Sequence, residues 1–253
     1  MQAYKEDKYI SGMDWNEGKF ANNVLQNYRK YQYKLVGNYI GKSVLEVGSG
    51  DRGFTVEIYK HRTNQINRLV SIEPSITLYE SHMNNFSFPS NYKFDNVDLF
   101  HIEENTYGKF DTAIFIHVLE HIEQDKKALD HTHALLENKG YVLIEVPALQ
   151  FLFSVHDQML GHYRRYNKKM LKSIIDPTKY KIEKIWYNDP IGVFGSWYFF
   201  KFKKIKLKSN QGRNLVSNQG GIYDKYIIPF ESKIEKFITF PFGLSLNAIL
   251  KKI

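Results

Sequence analysis

The stretch from Ser43 to Phe54 (Ser-Val-Leu-Glu-Val-Gly-Ser-Gly-Asp-Arg-Gly-Phe) constrains the fold more than any other part of the chain. Val44, Leu45 and Val47 form a short apolar run, the pattern of a parallel strand buried on both faces. Gly48 and Gly50 follow at once, and Gly53 comes three residues later. Glycines at the end of a strand let the chain turn sharply and let a ligand approach the main chain. Residues 54–62 then suit a helix whose free N–H groups would face that ligand. Strand, glycine turn and helix, in this order, make a nucleotide-type site.

The pattern continues in both directions. Residues 1–15 read as a polar leader, and residues 17–40 as a helix rich in tyrosine (Tyr28, Tyr31, Tyr33 and Tyr39). Arg68 to Ile72 reads as a second strand, with Glu73 at its tip because Pro74 stops the ladder. A carboxylate there lies beside the glycine turn of a βαβ unit and can accept both hydroxyls of a ribose. Residues 75–86 suit a helix, Tyr92 to Val97 a third strand with Asp98 after it, and Phe110 to Ile116 a fourth. Ile122 to Glu137 reads as a helix ended by Asn138-Lys139-Gly140, with Gly140 as its left-handed closing residue. Tyr141 to Val146 is a fifth strand, stopped by Pro147. Such alternation predicts an α/β fold with a parallel sheet covered by helices on both faces.

Beyond Pro147 the pattern changes. Residues 148–166, rich in His, Tyr and Arg, read as a loop or short lid. Residues 168–175 suit a helix and Tyr180 to Tyr187 a sixth strand. Residues 190–240 are aromatic and basic, and residues 243–251 suit a closing strand. The expected organisation is a helical cover over 1–40, a core over 41–189, a lid insertion over 190–240 and the closing strand of the core over 241–253. With no cysteine, disulfides and cysteine–zinc sites are excluded. The N-terminus lacks the apolar core of a signal peptide, and no apolar run reaches the ~18 residues of a membrane span. A cytoplasmic location is expected, with membrane-surface contact through 194–208. There the run Phe194-Gly195-Ser196-Trp197-Tyr198-Phe199-Phe200 joins five lysines within residues 201–208. A lid helix with its apolar face on the core is the simpler reading of that segment, and nucleic acid is the least favoured partner. The formal net charge of +8 would steer acidic partners.

Several motifs together resemble the class I S-adenosylmethionine-dependent methyltransferases. They are Val44 to Gly50, Ile72-Glu73-Pro74, Phe110 to Ile114, His117-Val118-Leu119-Glu120-His121 and Leu135 to Tyr141. The resemblance spans roughly residues 40–150. It implies a Rossmann-like sheet of seven strands, mostly parallel, whose last strand runs antiparallel. It also implies S-adenosyl-L-methionine as cofactor. Glu46, Gly48, Ser49 and Gly50 would hold the methionine end, Glu73 with Pro74 the ribose, and Asp98 the adenine, with Asn96 as the competing residue. His117 and Val118 would border the sulfonium. The family pattern has a third glycine where this chain has Arg52, so the loop is expected to be shifted by one residue. A narrower resemblance, in Val146-Pro147-Ala148, Asp157 to Tyr166 and Pro241 to Leu246, points to a subgroup associated with glycan or lipid-linked sugar assembly.

The expected acceptor is therefore a small molecule, phosphorylated or lipid-linked, methylated on a hydroxyl. The alternatives are an RNA or protein methyltransferase, or a non-catalytic scaffold of the same fold. The segment after the fifth strand is the expected acceptor site. His156 or His162 would act as base. Arg164 and Arg165 would clamp an anion, flanked by Tyr163 and Tyr166. Seven of the nine histidines lie between 101 and 162. His117, Glu120 and His121 fall at helical spacing, so one helix face would present all three. Some quinone-type methyltransferases resemble this region and bind a metal there. Here the motif follows a strand, and His117 is expected beside the cofactor with Glu120 and His121 as structural residues. No metal is expected.

Overall fold

The computed structural model describes residues 26–81, 86–205 and 221–253. The polar leader over 1–15, the start of the helix expected over 17–40 and the lysines at 206 and 208 lie outside the described residues.

The order of elements follows the alternation in the sequence. Helix α1 (Gln26–Val36) leads into strand β1 (Ser43–Val47), helix α2 (Gly53–Arg62), strand β2 (Arg68–Ile72) and helix α3 (Ile76–Ser81). Strand β3 (Tyr92–Asp95), helix α4 (Glu104–Tyr107), strand β4 (Phe110–Ile116), helix α5 (Asp125–Leu135) and strand β5 (Leu136–Pro147) follow. Next come helices α6 (Val155–Met159) and α7 (Lys168–Ile174), strand β6 (Tyr180–Asn188) and helix α8 (Pro190–Ser196). Helix α9 (Ile228–Ile234) and strand β7 (Ser245–Lys252) complete the described chain. Two π-helical turns, Trp197–Phe202 and Tyr223–Ile227, flank the undescribed residues 206–220.

One sheet of seven strands holds the order β3-β2-β1-β4-β5-β7-β6. The pairs from β3 through β5 are parallel, and β7 runs antiparallel between β5 and β6. Strand side chains alternate between faces, so each central strand feeds two cores. Leu45, Val47, Phe115, Ile144 and Leu246 pack on one side; Val44, Ile58, Leu69, Ile114, Leu143 and Ile249 pack on the other. Both layers are fully or nearly fully buried. Each such side chain contributes about 1.5–3 kcal/mol to folding. The strand order reverses beside β1, and a ligand crevice opens at the carboxyl ends of the strands there.

Several sequence expectations change at their edges. The helix expected over 122–137 is shorter, because a 3₁₀ turn (Leu119–His121) precedes it and β5 already begins at Leu136. The left-handed residue after it is Lys139, at φ 65°, not Gly140. Gly140 is needed for a different reason: a Cβ there would sit 3.0 Å from the carbonyl oxygens of Asp111 and Glu137. Strand β3 stops at Asp95, and Asn96 turns its amide to the carbonyl of Glu73 at 2.7 Å. The stretch 148–166 contains a 3₁₀ turn (Gln150–Leu152) and α6, so it is only partly a loop.

Candidate active site

The turn after β1 is built around main-chain freedom. Gly48 and Gly50 have φ of 67° and 50°. A Cβ on Gly48 would lie 2.7 Å from Val118, whereas a Cβ on Gly50 would meet open space. The turn thus presses on one wall and leaves the other side open to a ligand. Arg52 also takes a left-handed conformation, φ 60°, at the start of α2. Its side chain offsets that strain by burial: the guanidinium lies 4.3 Å over the Phe94 ring and donates to the carbonyl of Tyr79. A Cβ on Gly53 would come 2.9 Å from Arg29 Nε, so a side chain there would displace the Arg29–Asp51 pair.

Carboxylates line the turn. Glu73 accepts the N–H of Gly50 at 2.8 Å and that of Ser75 at 2.9 Å, which fixes it beside the glycines. Glu46 is buried and accepts the hydroxyls of Thr55 and Ser71. Burial pushes its carboxyl up to about 7 against those hydrogen bonds. Glu46, Gly48, Ser49, Gly50, Glu73, Pro74, Asp98, His117 and Val118 all line one chamber of about 960 Å³. Asp98 also accepts the N–H of Phe100, while Asn96 faces the Glu73 backbone instead.

The far end of β4 carries a charged knot. His117 has φ 56°, so its ring leaves the strand direction. Its Nδ1 lies 3.3 Å from Glu120, and its Nε2 3.3 Å from Glu145. Burial alone would lower its pKa, but the two carboxylates outweigh burial and hold it at about 9. His117 is therefore a cation at neutral pH and holds no free base. Tyr28 from α1 donates to Glu145 at 3.2 Å, closing the knot from above. Glu145 carried a signal in the sequence that went unused: it is the one acid in the apolar run Tyr141 to Val146.

The segment after β5 places its residues unequally. His156, His162 and Arg165 line the chamber; Tyr163, Arg164 and Tyr166 do not. Arg164 and Tyr166 both reach Asp125 at the start of α5, at 2.5 and 2.7 Å, so they pin the segment to the domain. Tyr163 is exposed, with the Arg164 guanidinium 5.7 Å from its ring. Asp157, given no role from the sequence, is the organiser. It is fully buried and accepts from Arg165 Nε at 2.7 Å, with His162 Nδ1 at 3.1 Å. Burial would raise its pKa, but His162 and Arg165 hold it well below the usual range. With Nδ1 directed to Asp157, His162 keeps Nε2 available, the arrangement of an oriented imidazole base. His156 stacks on Phe200 at 4.3 Å, and burial lowers its pKa to about 4. A base held that low takes up a proton poorly near neutral pH.

The helical face expected to unite His117, Glu120 and His121 does not form. The 3₁₀ turn and the left-handed His117 break it. Instead Glu120, His121 and His162 bring one donor atom each within 4.8 Å of one another. Two imidazoles and a carboxylate suit a divalent transition ion. Burial keeps His121 neutral, near a pKa of about 4.

The chamber's outer wall is the cap formed by α8, α9 and the π-helical turns. Asp189 has φ 60° and closes the N-terminus of α8 by accepting from Gly192 at 2.7 Å. Tyr223 donates to Asp189 and lies 3.4 Å from Glu231, which accepts the N–H of Ile191 at 2.7 Å. Glu235 accepts from the Tyr31 hydroxyl and from the N–H of Asp189. This carboxyl cluster joins residues far apart in the chain, so no local pattern marks it.

The fold thus combines a glycine cradle after β1, an acidic residue at the end of β2 and an antiparallel β7 between β5 and β6. The methyltransferase-domain family profile matches residues 25–187. The chain belongs to this methyltransferase family. It is an S-adenosylmethionine-dependent enzyme with the Rossmann-like fold that the motifs implied. No curated protein matches it in sequence. Among solved structures, the methyltransferase resembles the N-methyltransferase NodS from Bradyrhizobium japonicum WM9 with S-adenosyl-L-homocysteine. That match has a TM-score of 0.58 at 13% identity, over 98% of this chain and 99% of that one. The plantazolicin methyltransferase BpumL matches with a TM-score of 0.56 at 14% identity, over 97% and 95% of the two chains. The [4+2]-cyclase SpnF matches with a TM-score of 0.56 at 14% identity, over 90% and 80%. At such identities the likeness is one of fold.

The residues present fit the cofactor. The Gly50 side of the turn is open where a side chain would otherwise intrude, and Glu73 is fixed beside it. The structure thus leaves room for a nucleoside-bearing ligand at the place the motifs indicate.

Proposed function

We propose that this methyltransferase acts on a hydroxyl oxygen of a small-molecule acceptor, a sugar carried on a lipid-linked or otherwise apolar precursor. Glu46, Gly48, Ser49 and Gly50 hold the methionine end of S-adenosylmethionine, Glu73 and Pro74 its ribose, and Asp98 its adenine. When bound, the cofactor supplies a methyl group already activated on a sulfonium. The chain's task is then to bind, orient, exclude water and move one proton.

The observation that carries this reading is the buried Asp157–His162 pair on the chamber wall. Asp157 fixes the imidazole tautomer, and Nε2 takes the proton from the acceptor hydroxyl. Leu160, Phe199, Phe200, Ile222 and Ile227 give the same chamber an apolar wall, which suits an acceptor with a hydrocarbon tail. His117 stays charged between Glu120 and Glu145 and keeps the floor of the chamber rigid.

The test is transfer of labelled methyl to nucleotide sugars and to lipid-linked sugars. His162→Ala should lower kcat by about 10²–10⁴-fold, the usual range for a general base, with S-adenosylhomocysteine affinity unchanged. Asp157→Asn should act in the same direction. Equal turnover by His162→Ala would remove His162 as the base. Prior treatment with a chelator should leave the rate unchanged; a rate abolished by chelation and restored by a divalent ion would make His162 a metal ligand beside Glu120 and His121.

A further inference from the structure

The cap sorts its charges. Between residues 190 and 205 there is no acidic residue, and Lys201, Lys203 and Lys204 are exposed. Between 221 and 238 there are three acids, and all three are spent on the protein itself. Asp224 is buried and accepts the N–H groups of Asn27 and Tyr28 at 3.1 and 2.7 Å. Glu231 is buried against Ile191 and Tyr223, and Glu235 turns to Tyr31. Lys225, Lys233 and Lys236 are exposed. The described outer side of the cap therefore offers cations without a competing anion.

Large apolar side chains stand among these lysines. Phe194, Trp197 and Phe202 are 65%, 48% and 63% exposed on α8 and the first π-helical turn. Phe230 and Phe237 add 55% and 89% on and just after α9. An exposed ring costs free energy in water, at roughly 25 cal/mol per Å² of apolar surface left uncovered. Scattered single rings need no explanation, but five beside six lysines on neighbouring segments do. The same first π-helical turn sends Phe199 and Phe200 inward to the chamber wall. The outer rings and the chamber are thus two sides of one segment.

We propose that this outer side of the cap seats on the surface of an anionic lipid bilayer, rings in the interface and lysines at the headgroups. Interfacial aromatics and a cationic rim are what such a surface requires. A protein partner would be expected to meet a mixed-sign rim, and a nucleic acid would want rings in a groove beside the cations, whereas these rings are largely exposed. The surface stands whatever the acceptor is; only its value for delivering a lipid-linked acceptor into the chamber rests on the methyltransferase reading. No helix among the described residues is long and apolar enough to cross a membrane, so contact would be peripheral.

The experiment is sedimentation of the full chain with large vesicles of phosphatidylcholine alone or with 30% phosphatidylglycerol, a composition chosen on the order of natural anionic content. Binding to the anionic vesicles, weakened by salt, is expected. Lys201→Glu, Lys203→Glu and Lys204→Glu together should lower partitioning by about a hundredfold. Trp197→Ala, Phe202→Ala and Phe237→Ala together should lower it at least about tenfold even at low salt. These side chains are exposed, and S-adenosylhomocysteine titration reports that each variant still folds and binds cofactor. Three results would overturn the proposal: equal binding to neutral and anionic vesicles, binding indifferent to the ring substitutions, or no vesicle binding beside salt-sensitive binding to single-stranded RNA. Intact vesicle binding without any methyl transfer would fault the acceptor reading and leave the surface standing.

Discussion

The two walls of the chamber are built by opposite means. The cofactor wall is a sheet edge where backbone does the shaping: positive-φ glycines, an N–H donated to Glu73 and strand ends held in parallel register. The cap wall is held by buried side-chain acids, Asp189, Glu231 and Glu235, bonded to tyrosines and N–H groups far away in the chain. Backbone bonds do not titrate, whereas buried carboxyls do. The cap wall should therefore be the more responsive to pH, while on the cofactor wall Glu46, raised to about 7 by burial, is the carboxyl that titrates in the same range.

Breaking the backbone-built wall should give the largest effect. If Glu73 holds the ribose as proposed, Glu73→Ala should weaken S-adenosylhomocysteine binding about 100-fold or more in calorimetric titration. The circular dichroism spectrum should not change. Affinity within a few-fold of the parent would move the ribose away from Glu73.

A pH scan sharpens the contrast. Burial raises Glu231 to about 8, helped by the Asp189 charge, and raises Asp189 to about 6 against hydrogen bonds from Tyr223, Gly192 and Glu231. An unfolded carboxyl has released its proton by about pH 5. Between these limits the folded chain binds more protons than the unfolded one, so stability falls as pH rises towards 8. The thermal midpoint should drop between pH 6 and pH 9, and Glu231→Gln should flatten the slope. A midpoint that climbs with pH would contradict the assignment.

The smallest effect is expected behind the chamber. Arg164→Ala removes a partly exposed ion pair to Asp125 and should cost about 1 kcal/mol, read as a shift of a few degrees in melting. Its KM for acceptor should be unchanged. A large rise in KM would return Arg164 to the acceptor site.

What the sequence disclosed follows the same divide. The sheet and the glycine turn were legible because strand, turn and helix signals are local. Glu46, Glu73 and Asp98 sit within or next to those local patterns. The pairing of Tyr28 with Glu145 crosses 117 residues, and that of Tyr223 with Asp189 crosses 34, so neither leaves a local pattern. Arg164 and Arg165 illustrate the limit well. Adjacent in sequence and equal in charge, they bond to Asp125 and Asp157 respectively, and only Arg165 reaches the chamber. The helical spacing of His117, Glu120 and His121 misled because a 3₁₀ turn and a left-handed residue intervene, and those depend on the packing around Glu145.

Both edges of the undescribed stretch 206–220 approach it through π-helical turns. A π turn holds one more residue than the α-helix around it can accommodate. Removing a single residue from Trp197–Phe202 would let the turn close to ordinary α-helix and shift by one position which of its side chains face the chamber. Phe202 and the lysines behind it would then swing away from their present side while Phe199 and Phe200 lost the chamber. A one-residue deletion in this turn is therefore a steering change, able to exchange what the protein shows its surroundings with what it shows its substrate.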